Sequence, residues 1–197
     1  AGMTTKTNKV GFIGGMKNVI IDQFQYGFEA GVLYASREKK VPIEVVNQYA
    51  ESFADAAKGK AIASRMYSGG CDIVFHAAGG VGYGVIEAAK DSNKFVIGVD
   101  RDQSYLAPDN VLTSAVKNVG TAVKLVSREL MNGNQIGGKN YEFGLSEHCV
   151  GIPENHKNME ESVYSKAMEL SKLVEAGVIA VPFDEETFKI YEADLNK

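Results

Sequence analysis

A strand, a glycine-rich turn and a helix follow one another between Asp72 and Lys90, and this stretch most constrains the fold. Four of the six residues from Gly79 to Gly84 are glycine, which lets the chain turn sharply and brings backbone N–H groups close to a ligand. The next apolar segment ends in a carboxylate at Asp100. Because the carboxyl ends of strands in an open α/β sheet form the ligand crevice, the stretch predicts such a sheet. Asp100 would then be placed to bind the hydroxyl groups of a sugar-bearing small molecule.

Strand and helix patterns alternate along the rest of the chain. We predict strands over Val10–Gly15, Ile43–Gln48, Asp72–Ala77, Phe95–Asp100 and Val111–Val116, and a short one over Tyr141–Leu145. We predict helices over Ile21–Glu38, Ala54–Ser68, Val85–Lys90, Val119–Met131 and Met159–Ala176, then an extended piece over Val178–Pro182 and a loosely ordered tail. This alternation favours an α/β fold, a doubly wound and mostly parallel sheet with helices on both faces.

Composition narrows the possible partners. The chain has 197 residues, a formal net charge of −4, 45% hydrophobic residues and 23% charged residues, which is typical of a soluble globular protein. It has no basic patch, so nucleic acid is a poor candidate partner. No apolar run approaches the roughly 18 residues of a membrane span. His76 fits a core histidine, and the histidines and cysteines lack metal-ligand spacing, so we expect neither a metal nor a cofactor.

The glycine turn has two interpretations. Its spacing, Gly80-x-Gly82-x-Gly84, differs from the G-x-G-x-x-G fingerprint and disfavours a dinucleotide. It could be a tight turn that only packing requires. It could instead face a ligand and donate backbone N–H groups at a helix N-terminus, which the position of Asp100 at the next strand end favours.

Three side chains are further candidates, each with a simpler alternative. Asp100 could bind vicinal hydroxyls, or could cap a helix or pair with Arg101. Phe53 follows the second strand and could stack on a planar base or plug the core. Lys117 follows the fifth strand and could reach the same crevice or be solvated. Neither a G-x-S-x-G elbow nor a paired-carboxylate motif is visible, so we expect binding without chemistry and no enzyme.

Seven segments in order resemble the basic membrane protein family. They are Val10-Gly-Phe-Ile-Gly-Gly15, Phe24-x-x-Gly-Phe-Glu-Ala-Gly31, Phe53-x-Asp-x-x-Lys-Gly59, Phe75-His-Ala-Ala-Gly-Gly80, Gly98-Val-Asp-Arg-Asp-Gln103, Leu112-Thr-Ser-x-x-Lys117 and Val150-Gly-Ile-Pro153. Members of that family are nucleoside-binding lipoproteins that serve ABC importers and have the two-lobed type 1 periplasmic binding protein fold. The resemblance runs from about Lys9 to Pro182.

The resemblance implies a role for each candidate residue. Phe53 would be one of two aromatic rings around the base, and Asp100 would bind the ribose hydroxyls. Lys117 would also reach the nucleoside. The turn of Ala78, Gly79 and Gly80 would line the pocket with backbone groups. The protein would be a substrate-binding component that binds nucleosides, purine nucleosides favoured, and delivers them to an ABC transporter permease.

The resemblance also implies a domain organisation. Residues 1–116 would form the second, C-terminal lobe, residues 117–133 would cross to a first lobe, and residues 134–197 would return to the second lobe and end in a tail. The intact precursor would be an extracytoplasmic, membrane-anchored lipoprotein whose signal, lipobox and first lobe are outside this chain. We therefore expect weak nucleoside binding by the chain alone. The helix from Val119 should expose an apolar face that pairs with the first lobe or promotes self-association.

Two other functions compete with this one. The first is a nucleotide-dependent enzyme with a Rossmann-like domain, which the glycine spacing and the missing catalytic groups disfavour. The second is the small-molecule-sensing domain of a transcription regulator, which shares the fold but would need a DNA-binding domain.

Overall fold

The computed structural model describes residues 1–195 as a mixed sheet with helices on both faces. The strands are β1 (Lys9–Gly14), β2 (Glu44–Tyr49), β3 (Ile73–Ala77), β4 (Phe95–Asp100), β5 (Val111–Lys117) and β6 (Val150–Gly151). The helices are α1 (Val19–Lys39), α2 (Ala56–Ser68), α3 (Val81–Ser92), α4 (Val119–Met131), α5 (Glu161–Glu175) and α6 (Glu185–Asp194), with a 3-10 turn at Ser104–Leu106.

The strand order is β2-β1-β3-β4-β5-β6. Neighbours among the first five strands are parallel, and β6 is antiparallel to β5. The chain moves outward from β1 to β2, then crosses back past β1 to β3. This reversal creates a topological switch point between β1 and β3, the place where open α/β sheets bind ligands. The predicted doubly wound, mostly parallel sheet is confirmed.

Two hydrophobic cores lie on opposite faces of the sheet because side chains alternate along each strand. In β1, Ile13 belongs to the core under α2 and α3, while Phe12 belongs to the core under α1. In β3, Val74 belongs to the core under α2 and α3, and Phe75 belongs to the core under α1. The strands are therefore apolar on both sides, as expected for a buried parallel sheet.

Helix α3 begins four residues earlier than predicted, at Val81 rather than Val85. Gly82 and Gly84 therefore lie inside the helix, and packing explains them. A Cβ on Gly84 would be 1.8 Å from the carbonyl oxygen of Ala56, and one on Gly82 would be 2.1 Å from the His76 ring. The packing interpretation thus applies to these two glycines, while Gly79, with φ +56°, forms the turn itself.

The last third of the chain differs most from expectation. Residues 141–145 form no strand, and the rings of Tyr141 and Phe143 stack on one another there instead. The sheet gains β6 in place of this predicted strand. The predicted loose tail is also wrong over the described residues, because α6 has an N-terminal capping box formed by Asp184 and Thr187.

Replacing Gly84 with alanine should disrupt the contact between α2 and α3. The new methyl group would overlap the Ala56 carbonyl, so we expect a loss of about 2 kcal/mol or more in the free energy of unfolding. Gly120→Ala is the matched control, since a Cβ on that helical glycine would have open space around it, and it should stabilise slightly. Urea denaturation of both variants makes the measurement. Equal effects would contradict the packing role of Gly84.

Candidate functional site

The predicted site residues converge on one edge of the sheet. Phe53 follows β2, Gly79 and Gly80 follow β3, Asp100 ends β4 and Lys117 ends β5. Because these strands are parallel and in register, their carboxyl ends meet at the same edge. The structure therefore brings together residues that are up to 64 positions apart in sequence, and they surround the switch point between β1 and β3.

Phe53 presents an exposed ring at this edge. The ring lies over Gly15, where a Cβ would be 2.2 Å from the ring, and the residue is 41% exposed. The loop that carries it is shaped by Ser52, whose hydroxyl accepts hydrogen bonds from the amides of Ala54 and Asp55. Phe53 is thus supported by backbone on one side and open on the other, which is the geometry of a stacking surface and not of a core plug.

The turn after β3 approaches the crevice with backbone alone. Gly79 is exposed, with φ +56°. The Gly80 amide donates a 2.8 Å hydrogen bond to the Phe53 carbonyl oxygen, so that donor is already used within the chain. Ala78 is fully buried, and its carbonyl accepts a bond from the amide of Val81. No part of Ala78 is exposed, so of the three predicted pocket-lining residues of this turn only Gly79 and Gly80 reach the surface of the crevice.

Asp100 adopts an unusual backbone conformation. Its φ is +69°, and the Arg101 amide donates a 2.8 Å hydrogen bond to the Val99 carbonyl across it, as in a γ-turn. Such a conformation in a residue other than glycine costs on the order of 1–3 kcal/mol and is typical of functional positions. The carboxylate is 60% exposed.

The Asp100 side chain pairs with Lys117 rather than with its neighbour Arg101. The Lys117 ammonium is 3.6 Å from one carboxylate oxygen of Asp100 and 5.8 Å from the centre of the Phe24 ring. Arg101 instead donates to the Tyr83 hydroxyl. Within residues 1–195 the Asp100 carboxylate accepts no hydrogen bond, so its lone pairs are available to a ligand. An open cleft of about 580 Å³, bordered by this pair, Val119 and Ile152, continues from this point.

A buried polar cluster lies below the crevice, and sequence reasoning assigned it no function. The Nε2 atom of His76 is 3.1 Å from the Oε1 atom of Gln103, which also accepts a hydrogen bond from the Val99 amide. The Gln103 amide donates to the hydroxyl of Ser114. Gln103 is the last residue of the G-V-D-R-D-Q motif. Its position three residues after Asp100 was the only feature of the sequence that could have pointed to this cluster.

His76 is the core histidine that the sequence predicts, with one nitrogen unpaired. An acceptor faces Nε2, so this nitrogen carries the proton, and Nδ1 has no partner among the described residues. Burial lowers the pKa of His76 to about 4, against the raising effect of the Gln103 hydrogen bond. The ring lies behind Gly82 and is fully buried, so it is a neutral structural group at physiological pH.

Comparison with known proteins identifies the family. The family model described as ABC transporter substrate-binding protein PnrA-like, or Bmp, matches residues 1–185. The chain belongs to the Bmp family. Basic membrane protein B of Borreliella burgdorferi is 44% identical over 195 residues, which are 97% of this chain and 54% of that protein. Basic membrane protein A of Borreliella afzelii is 41% identical over 192 residues, which are 96% of this chain and 58% of that protein.

Solved structures share the fold of this Bmp chain. A solute-binding protein of an ABC transporter system from Aeropyrum pernix K1 has a TM-score of 0.80 at 23% identity, over 95% of this chain and 61% of that one. A transcriptional activator of the comK gene from Bacillus halodurans has a TM-score of 0.74 at 23% identity, over 87% of this chain and 59% of that one. Likeness at this identity shows the fold alone, and it confirms the predicted α/β fold.

Membership of the Bmp family decides several predictions. The family comprises substrate-binding proteins of ABC transporters and not enzymes, so the prediction of a non-enzymatic protein is confirmed and the nucleotide-dependent enzyme is wrong. Such proteins act outside the cytoplasm, bind a small ligand and interact with a permease. Among the described residues no helix is long and apolar enough to cross a membrane. The chain spans about half the length of the relatives that it matches.

The pKa of His76 predicts how stability should depend on pH. Below about pH 6.5 the unfolded chain takes up a proton on His76 that the folded chain refuses until about pH 4. The free energy of unfolding should therefore fall as the pH drops through this range, by about 3 kcal/mol in full. In His76→Gln this component should be absent, while His148→Asn, which removes an exposed histidine, should behave as the wild type. Urea denaturation from pH 7 to pH 4 makes the comparison, and parallel curves for wild type and His76→Gln would contradict it.

Proposed function

We propose that this chain forms one wall of a nucleoside pocket in the substrate-binding component of an ABC importer. One observation carries the proposal: the exposed ring of Phe53 and the exposed carboxylate of Asp100, paired with Lys117, lie at the same edge of the sheet, on either side of a turn without side chains. A nucleoside has a flat base and a ribose with vicinal hydroxyls. The two groups match its two halves.

Phe53 binds the base by stacking. Its ring is open on the side away from Gly15, and stacking of a base on an aromatic ring is worth about 1–3 kcal/mol. The bare backbone of Gly79 next to Phe53 leaves room for a flat ligand to approach. Purine nucleosides are the favoured ligands because a purine offers a larger face than a pyrimidine.

Asp100 and Lys117 bind the ribose. A carboxylate accepts hydrogen bonds from two neighbouring hydroxyls, and each such charged bond contributes about 1.5–3 kcal/mol. The ammonium of Lys117, 3.6 Å away, can donate to a hydroxyl or ring oxygen of the ligand. Lys117 is 44% exposed, so its amine can turn toward the cleft.

The opposite wall belongs to the first lobe. The chain spans about half the length of its relatives, and we infer that the remaining part supplies a second aromatic ring and closes over the ligand. Residues 1–116 would then be the C-terminal lobe and residues 117–133 the crossover, with residues 134–197 returning. Helix α4 fits this role, because none of its residues is buried and its apolar face is open. The chain alone should bind nucleosides weakly.

The family also supports a place and a partner. Substrate-binding proteins of ABC transporters deliver their ligand to a permease on the outer side of the membrane, and we propose a nucleoside permease as the partner here. Retention at the membrane by a lipid on the intact precursor, which the resemblance to the family implies, is part of the same proposal.

Changes at Phe53 and Asp100 test the pocket. In a two-lobed fusion that restores the unmatched part of Basic membrane protein B ahead of Ala1, Phe53→Ala and Asp100→Ala should each weaken inosine binding about tenfold or more, because each removes a stacking or charged contact. Isothermal titration calorimetry measures the affinities. Asp100→Ala should also abolish the preference for inosine over 2′,3′-dideoxyinosine, which lacks the hydroxyls.

Two matched controls accompany these variants. Phe183→Ala removes another exposed phenylalanine, and Asp109→Ala removes another aspartate paired with a lysine, Lys157, at the opposite edge of the sheet. Both controls should bind inosine as the wild type does. Unchanged affinity in Phe53→Ala and Asp100→Ala together would refute the site.

The apolar face of α4 predicts self-association of the chain. Val119, Val123 and Leu130 are all more than half exposed, so two copies should cover these faces mutually when no other lobe does. Val123→Lys should shift the chain toward monomer in sedimentation equilibrium. Ile190→Lys, at an equally exposed position on α6, should not. A wild-type chain that stays monomeric at high concentration would contradict this prediction.

A further inference from the structure

The sheet opens between β3 and β4 just below the crevice. These two strands pair only from Ile73 with Phe95 to Phe75 with Ile97. Each strand continues further on its other side, β3 with β1 as far as Ala77 and β4 with β5 as far as Asp100. The backbone of β4 beyond Ile97 therefore needs hydrogen-bond partners other than β3.

Side chains of the buried cluster supply those partners. The Gln103 carboxamide oxygen accepts a 2.9 Å hydrogen bond from the Val99 amide in β4 and is 3.1 Å from His76 in β3. The Gln103 backbone amide donates to Ser114 in β5. The fit is tight, since a Cβ on Gly98 would be 2.5 Å from the Gln103 oxygen and 2.7 Å from the Ser114 hydroxyl. Gln103 thus ties three strands together.

These bonds enclose the turn that carries Asp100. On one side, the Val99 amide donates a hydrogen bond to the Gln103 carboxamide oxygen, and the Val99 carbonyl accepts one from the Arg101 amide. On the other side, Gln103 is held by Ser114. Asp100, with φ +69°, lies between two anchored residues. A strained backbone conformation persists only when its surroundings over-determine it, and this ring of bonds is such a surrounding.

The Val99 amide fixes which way the Gln103 carboxamide points. A backbone N–H can only donate, so the carboxamide oxygen must face it. The same oxygen lies 3.1 Å from His76 and accepts from its Nε2–H. If the carboxamide were reversed, its NH₂ group would face the Val99 donor. Gly82 is what allows the ring into this place, because any side chain there would occupy the space of the imidazole.

We propose that Gln103, oriented by the Val99 amide, paired with His76 and anchored by Ser114, is a positioning residue that holds Asp100 in its strained conformation and thereby aims its carboxylate at the ligand. That Asp100 contacts a ligand rests on the proposed function. None of the three side chains touches the ligand, as all are buried. Their effect on binding passes through Asp100 alone.

The experiment is NMR spectroscopy of the 197-residue chain with and without inosine. The variants are Gln103→Ala, Asp100→Ala, the double variant, and Gln103→Glu, which keeps an acceptor oxygen for Val99 and His76. Asn110→Ala is the matched control, because it removes a partly buried amide that holds two carbonyl groups at the opposite edge of the sheet. The HN–Hα coupling and chemical shifts of residue 100 report its φ. The initial slope of chemical-shift change against inosine concentration reports the relative affinity for inosine.

We expect Gln103→Ala to move Asp100 out of the left-handed region and to reduce the slope about tenfold, as Asp100→Ala does. The double variant should lose no more than Asp100→Ala alone, because both changes remove one interaction. Gln103→Glu and Asn110→Ala should keep the wild-type φ at residue 100 and the wild-type slope.

Two results would overturn the proposal: additive losses in the double variant, or a Gln103→Ala chain whose Asp100 keeps its positive φ. If Gln103→Ala does not fold, Gln103→Glu decides, and loss of the positive φ at residue 100 there would count against the proposal. A wild-type chain whose signals do not respond to inosine would count against the proposed function. The φ of Asp100 in the variants would then still test the positioning role.

Discussion

The close contact between α2 and α3 determines the shape of the crevice. Gly84 lies against the carbonyl of Ala56, and Gly59 has the same relation to the carbonyl of Val81. Neither contact tolerates a side chain, so the two helices begin side by side. Phe53 lies just before α2 and Gly80 caps α3, and the bond between their backbones joins the two helix starts. A packing constraint between these helices therefore places the Phe53 ring beside the bare turn.

The other half of the crevice depends on strain rather than on packing. Asp100 stands at the end of β4 in a conformation that costs free energy. The buried bonds of Gln103 offset that cost and fill the gap where β3 and β4 part. An ordinary ladder between these strands would leave Asp100 extended. The departure from regular structure is thus what directs its carboxylate into the open edge of the sheet.

The sequence was sufficient for what depends on local pattern and insufficient for what depends on tertiary contacts. The strand patterns, together with the side chains that follow each strand, were enough to predict that Phe53, Asp100 and Lys117 lie at one edge of the sheet. The extent of α3 was underestimated because Gly82 and Gly84 have low helix propensity, and only their tertiary neighbours explain them. The segment over residues 141–145 has strand-like composition, but β6 takes the position beside β5 instead. The buried cluster around Gln103 joins residues far apart in sequence, which a motif cannot reveal.

The distribution of polar groups in the crevice suits reversible binding better than catalysis. A general acid or base must touch the reacting atoms and titrate near the working pH. His76 lies on the strand that leads into the crevice, yet it is sealed behind Gly82 and burial keeps its pKa at about 4. Asp100 is exposed and paired with Lys117, an arrangement that offers hydrogen bonds to hydroxyls and activates no nucleophile. The buried polar groups of this chain therefore hold one carboxylate in place, which suits the binding role proposed above.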